Sequence, residues 1–238
     1  MKSRKPSVLA IIPARGGSKG VKRKNIRTVA NEPLIYWSIK ASKDSKFITE
    51  TYLNTDDEEI ARIGAEKGAS LLMRPSELAQ DKTPMIPVLQ YVCLEAEKIH
   101  GRFDTVVLLQ PTAPMRTGED IDRAIELFHD SLHESLVSVY QVDDCHPSRM
   151  YRLGKEETLE KIYEEPQGSL RQDLEPIFHR NGAVYICTRE LLMEKNQLTC
   201  DKPLAFIMSK SRSVNIDDEF DLRIADFVMS NLNNEMEA

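Results

Sequence analysis

The chain has 238 residues, enough for a full hydrophobic core, and its 41% hydrophobic and 29% charged content is that of a soluble globular protein. A formal net charge of -6 argues against general attraction to nucleic acid and leaves room only for local basic sites. Cys93, Cys145, Cys187 and Cys200 lie far apart with no C-x-x-C pair, which excludes a zinc knuckle and a disulfide framework.

The basic start (Lys2, Arg4, Lys5) leads into a short apolar run without a cleavage-like segment, and no stretch approaches a membrane span. Cytoplasm is the expected setting, with neither nucleic acid nor membrane as partner.

Val8 to Ile12 reads as a strand buried on both faces, and Pro13 ends it. The next stretch, Ala14-Arg15-Gly16-Gly17-Ser18-Lys19-Gly20-Val21-Lys22-Arg23-Lys24-Asn25, is glycine-rich and basic. Glycines let successive backbone N–H groups approach an anion, and the cations hold its charge, so the stretch reads as a phosphate cradle. The competing reading is a solvated basic loop.

Ile26 to Asn31 follows as a connector, and Glu32-Pro33 resembles the first turn of a helix through Leu34, Ile35, Trp37, Ile39 and Ala41. Ile48 to Leu53 is the second predicted strand. Asp56 and Asp57 are placed to cap a helix over residues 58–67, and Ala69 to Met73 is the third strand. This alternation predicts a doubly wound α/β sheet with helices on both faces.

Thr83-Pro84 opens a helix whose apolar face carries Met85, Val88, Leu89, Val92, Ala96 and Ile99. Thr105 to Leu109 is a central strand, leaving through Gln110-Pro111-Thr112-Ala113-Pro114-Met115-Arg116. Gln110, Thr112 and Arg116 are expected to offer hydrogen bonds there, at the sheet edge where open α/β folds bind ligands. A helix through Ile121, Ala124, Ile125 and Phe128 and a strand from Ser135 to Val142 follow.

The periodicity breaks over residues 143–173, predicting a lid, an arm or a subunit contact within a single domain spanning 1–238. Short strands are expected near Met150 and Lys161, and His146 reads as a solvated loop histidine. Asn181 to Ile186 restores a strand, Arg189 to Lys195 a short helix and Ala205 to Met208 the last strand. A closing helix carries Leu222, Ala225, Phe227, Val228 and Leu232, with a frayed tail from Asn233.

The cradle matches neither common phosphate motif. A dinucleotide fingerprint needs G-x-G-x-x-G leading into a helix, and a Walker A loop ends in Gly-Lys-Ser/Thr; here the run is Gly16-Gly17-Ser18-Lys19-Gly20. Arg15, Lys19 and Lys24 can instead spread neutralisation over a triphosphate. A divalent ion held by carboxylates usually completes such a site. Asp217 is the leading candidate and helix capping its alternative reading; Asp218, Glu219 and Asp221 stand nearby. No Ser/His/Asp or Cys/His pattern marks a protein nucleophile.

Several stretches together resemble one family. They are Ala14-Arg15-Gly16-Gly17-Ser18-Lys19-Gly20 with Lys24-Asn25, Asn54-Thr55-Asp56, Arg74-Pro75-x-x-Leu78-Ala79-x-Asp81, Leu108 to Arg116, Arg171-Gln172-Asp173, Asn181 to Tyr185, and Ile216-Asp217-x-x-x-x-Leu222. In this order they resemble the acylneuraminate cytidylyltransferases, the CMP-sialic acid synthetases.

The resemblance implies a nucleotide-diphospho-sugar-transferase-like sheet and a magnesium-dependent reaction. In it the anomeric hydroxyl of a nine-carbon 2-keto sugar acid attacks the α-phosphate of CTP, giving the CMP-sugar and pyrophosphate. It implies that Arg15, Gly17, Ser18, Lys19, Lys24 and Asn25 surround the triphosphate, with Lys19, Arg15 and Asp217 catalytic and Asp217 on the Mg2+. Arg74, Gln110, Pro111 and Thr112 would line the cleft, and Arg171 and Asn181 would approach CTP or the sugar. It also implies a homodimer joined through the 143–173 arm.

Two departures stand out. Many relatives have aspartate where this chain has Asn215, which puts a two-aspartate metal site in question. Arg180 replaces a proline frequent before the Asn-Gly pair. Alternative acceptors are 3-deoxy-octulosonate, legionaminate and pseudaminate; a non-catalytic nucleotide-binding regulator is the reading from another class.

Overall fold

The computed structural model describes residues 6–142, 145–163 and 174–237, with side chains described to residue 231. Its first strand, β1 (Val8–Pro13), is buried along its whole length. Val8, Ala10 and Ile12 pack into one core and Leu9 and Ile11 into another, so alternation along one strand feeds both faces of the sheet.

A two-residue hairpin, β2 (Thr28–Val29) and β3 (Glu32–Pro33), precedes α1 (Leu34–Asp44). Glu32-Pro33 is therefore strand and not helix. Ala30 and Asn31 adopt positive φ and turn the chain, and Pro33 becomes the cap before Leu34. There follow β4 (Glu50–Thr55), α2 (Glu58–Glu66), β5 (Ser70–Met73), α3 (Met85–His100), β6 (Thr105–Leu108) and α4 (Gly118–His129). A reciprocal capping box of Thr117 and Asp120 fixes the start of α4.

The remaining elements are β7 (Ser135–Gln141), a small hairpin of β8 (Tyr151–Leu153) and β9 (Leu159–Lys161), then β10 (Phe178–Thr188), α5 (Arg189–Met193), β11 (Leu204–Ile207) and α6 (Glu219–Glu237). α6 continues through most of the expected frayed tail.

The main sheet has seven strands in the order β11-β7-β10-β6-β1-β4-β5. All neighbours are parallel except those of β10, which runs antiparallel to both β6 and β7. α1, α2 and α4 cover one face around Ile39, Ile60 and Ile125; α3 and α5 cover the other around Leu89, Val92 and Leu191.

β1 lies between β4 and β6, so the chain winds outward on one side and then returns to the other. That reversal opens a crevice at the C-terminal ends of β1 and β6. Because β10 is antiparallel, its start joins the same edge. Among the described residues no helix is long and apolar enough to cross a membrane.

Candidate functional site

The expected cradle leaves β1 at this crevice. Ala14 donates its N–H to Asn54 O at 2.9 Å, and Gly16 donates to Asp56 Oδ1 at 3.0 Å. The two aspartates expected to cap α2 thus divide the work. Asp57 accepts the Glu59 and Ile60 amides as the cap, whereas Asp56 faces back and holds the loop.

A Cβ on Gly16 would crowd the capping side chain of Asp57, standing 2.7 Å from its Oδ2 and 3.0 Å from its Cβ. Gly17 has open space around it. Asn25 is buried and donates through Nδ2 to Arg15 O at 2.9 Å, tying the two ends of the loop together.

The cations converge with Asp217 on one cleft of about 340 Å³, whose wall also includes Ser18, Gly20, Arg74, Met85, Gln110, Pro111 and Thr112. Arg15 and Lys19 share one carboxylate. Arg15 Nη1 meets Asp81 Oδ1 at 3.1 Å, and Lys19 Nζ meets Asp81 Oδ2 at 2.8 Å. The hydrogen bond from Lys19, with the Arg15 charge beside it, holds the Asp81 carboxyl below the usual carboxylate range.

Lys24 donates Nζ to Ile216 O at 2.7 Å. Partial burial pushes its pKa down, against the opposing pull of the Asp217 and Asp221 charges.

Arg74, at the end of β5, is buried and clamped by Asn54: Nε donates to Oδ1 at 2.7 Å and Nη2 to the carbonyl at 3.2 Å. Burial lowers its pKa. Gln110 meets the bulge of β10 at Gly182. Gly182 has φ +74°, and a Cβ there would lie 2.8 Å from Gln110 Oε1, so glycine lets the two strands' ends close up.

Asp217 is held from three sides: its backbone meets Gly20, while Ile216 donates to Thr112 O at 2.8 Å and accepts from Lys24. The capping role considered for Asp217 belongs to Asp218, whose Oδ1 accepts the Phe220 and Asp221 amides. The Asp217 carboxylate is left at the cleft, where Oδ2 accepts from Asn215 Nδ2 at 2.9 Å.

A single carboxylate fits a hard divalent ion that keeps several waters and takes phosphate oxygens, while Asn215 turns its amide nitrogen to that carboxylate and its Oδ1 toward Gly182. No group of three or more His, Cys, Asp or Glu suited to a metal occurs among the described residues, so any ion here depends on its substrate for further ligands.

Two expected contributors sit elsewhere, and a third is not among the described residues. Arg116 does not face the crevice edge; its guanidinium turns inward and is buried, with Nη1 donating to Gln110 O at 2.9 Å and Ala113 O at 2.5 Å. It shapes the loop from inside. Asn181 is also buried: its Oδ1 accepts from Ser138 Oγ at 2.6 Å and its Nδ2 donates to Ser213 Oγ at 2.9 Å, fixing the β10 bulge. Arg171 lies outside the described residues, as do 143–144 and 164–173 within the expected arm.

His146 is not solvated; it is buried, with Nδ1 within 2.8 Å of Ser148 Oγ. Reading the sequence missed the Asp81 bridge, although an aspartate beside an arginine-proline motif in a polar loop was its visible signal.

The model of the family described as Cytidylyltransferase matches residues 9–194. A CMP-N,N'-diacetyllegionaminic acid synthase of Legionella pneumophila is 35% identical over 96% of this chain and 98% of its own length. A post-translational flagellin modification protein B of Campylobacter coli is 32% identical over 95% of this chain and 96% of its own. An N-acylneuraminate cytidylyltransferase of Escherichia coli is 30% identical over 92% of this chain, which spans 51% of that protein. A CMP:2-keto-3-deoxy-manno-octonic acid synthetase solved with CTP has the same fold, with TM-score 0.72 and 16% identity over 95% of this chain and 99% of that one.

Proposed function

This chain belongs to the cytidylyltransferase family, and from that premise we propose that it activates a nonulosonic acid with CTP. The sugar's anomeric oxygen forms a bond to the α-phosphorus and gives up its proton to solvent, the bond from that phosphorus to the bridging β-oxygen breaks, and pyrophosphate leaves. The observation that carries this reading is the convergence of Arg15, Lys19, Lys24 and Asp217 on one cleft at the sheet's switch point.

Charge develops on the departing pyrophosphate, and cations already gathered around the cleft stabilise it. Arg15 and Lys19 are assigned to the β- and γ-phosphates, with Ser18 and the open backbone at Gly17 beside them. Lys24 and Asn25 brace the loop's far end, and Arg74, Gln110, Pro111 and Thr112 line the cleft. A Mg2+ ion held through Asp217 would supply further neutralisation of the phosphates.

N-acylneuraminate is the acceptor implied by the sequence motifs. N,N'-diacetyllegionaminate is the second reading, favoured by a match that runs nearly end to end in both chains. Exposed Leu153 and Leu159 on the β8–β9 hairpin support a homodimer through this segment. The test is pyrophosphate release from purified protein with each nucleoside triphosphate against N-acetylneuraminate, N,N'-diacetyllegionaminate and 3-deoxy-octulosonate. Release with CTP and a nonulosonic acid is expected; absence of release with every acceptor would overturn the reading.

A further inference from the structure

A second cavity, of about 420 Å³, lies away from the cleft and shares none of its residues. Its wall is formed by Trp37 and Ala41 of α1, Pro114 and Met115 of the loop after β6, and Met229 of α6. This size falls within the range of small-molecule sites.

Three cations also reach it. Lys40 is paired with Asp44 at 2.5 Å and Arg212 with Asp120. Arg116 is different. The residue is 3% exposed and its guanidinium donates to the Gln110 and Ala113 carbonyls and the Ser38 hydroxyl, yet among the described residues it has no carboxylate partner and its Nε no hydrogen-bond partner.

Burial without a counter-charge pushes this arginine down to about 9, far from its ordinary value. A buried cation of this kind is costly, and an anion brought beside it in a low-dielectric wall recovers part of that cost.

We propose that this cavity is a binding site for a small amphipathic carboxylate, its apolar body against Trp37, Met115 and Met229 and its carboxylate directed to Arg116. Apolar walls alone would accept any hydrophobe; the unbalanced guanidinium selects the anion. Arg116 also holds the carbonyls of Gln110 and Ala113, so this site and the cleft share the two sides of one loop.

Trp37 is the single tryptophan of the chain, so its fluorescence reports occupancy directly and needs no nucleotide. Octanoate is titrated as the probe, with 1-octanol as its neutral counterpart. A saturable change in Trp37 emission is expected with octanoate, at a concentration roughly tenfold below that needed with octanol. Arg116→Gln is expected to bring octanoate to the level of octanol, and Ala41→Phe, which fills the cavity, to abolish both responses.

Equal affinity for the two probes, or an unchanged octanoate response in Ala41→Phe, overturns the proposal. Should Arg116→Gln fail to fold by circular dichroism, the octanoate-to-octanol ratio and the Ala41→Phe titration decide the matter.

Discussion

The α-carbon of Gly20 packs directly on the peptide of Asp217: a β-carbon on Gly20 would lie 2.0 Å from the Asp217 carbonyl oxygen. No L side chain fits there unless the basic loop and the Asp217 segment separate. Gly20→Ala is therefore expected to push apart the cations and the candidate metal ligand. Displacement of about 1 Å lowers turnover on the order of 100-fold, while overpacking at one contact costs about 1–3 kcal/mol of stability. Steady-state pyrophosphate release and a thermal melt on the same sample check this; unchanged turnover would show that the contact does not set the site.

Lys19→Ala is expected to abolish turnover, by roughly 100-fold or more, with the fold retained. Lys19 is largely exposed and its recorded ion pair is with Asp81 alone, so little stability rests on it. Near-normal pyrophosphate release by this variant would remove Lys19 from the reaction.

Asp81 competes for the same two cations that the triphosphate is proposed to take. Replacing it with Asn removes that competition while keeping the shape. CTP is expected to bind a few-fold more tightly to Asp81→Asn, on the order of 3- to 10-fold, because each exposed, solvent-screened ion pair contributes little. Isothermal titration with CTP reads this directly. Weaker binding would mean that Asp81 orients Arg15 and Lys19 more than it occupies them.

At the proposed metal position, Asn215 donates to the carboxylate of Asp217. Asn215→Asp replaces that donor with a second carboxylate, which repels Asp217 until a cation lies between them. The variant is expected to melt lower than the parent without Mg2+ and to gain more on adding it, by about 2–4 °C for each kcal/mol. Asp217→Ala is expected to lose the Mg2+ response. Melting curves with and without the ion separate the two, and a parent-like response from Asp217→Ala would exclude this carboxylate.

Cys93 and Cys187 sit in the core between α3 and the sheet, and burial pushes each thiol up to about 12 from an ordinary 9. Above pH 9 the unfolded chain releases these protons and the folded chain keeps them, so stability falls as pH rises from 9 toward 12. Denaturant midpoints at about pH 8 and about pH 10 should show the fall, reduced in Cys93→Ala. Native alkylation should label Cys145, which is exposed, long before either core thiol.

The sheet was legible because β1 and β6 are apolar runs with breakers at their ends, and the helices between the strands carry regular apolar faces. The direction of β10 was not, since antiparallel and parallel strands buried on both faces share one pattern. The cradle was readable as a basic glycine loop.

Pairings across long separations were harder. Asp56 and Asp57 are adjacent and chemically identical, yet one holds Gly16 and the other caps α2, a division set by the alternating direction of extended backbone. Arg116 looked like a ligand-edge donor because its inward turn toward Ser38 depends on how α1 packs behind the loop. Glu32-Pro33 carries a helix-start signal, and two positive-φ residues before it turn it into strand.

The antiparallel course of β10 has a consequence for how this architecture can diversify. Gln141 and Phe178 are register partners, and Val142 donates to Ile177 O at 2.8 Å, so the whole excursion between them begins and ends at one closed rung of the ladder. Its length and composition can change without moving β1, β6 or the loop that follows β1. The loop that carries the cations and the segment between Val142 and Ile177 are separable inheritance units, and grafting residues 143–177 from a relative should leave the cradle in register.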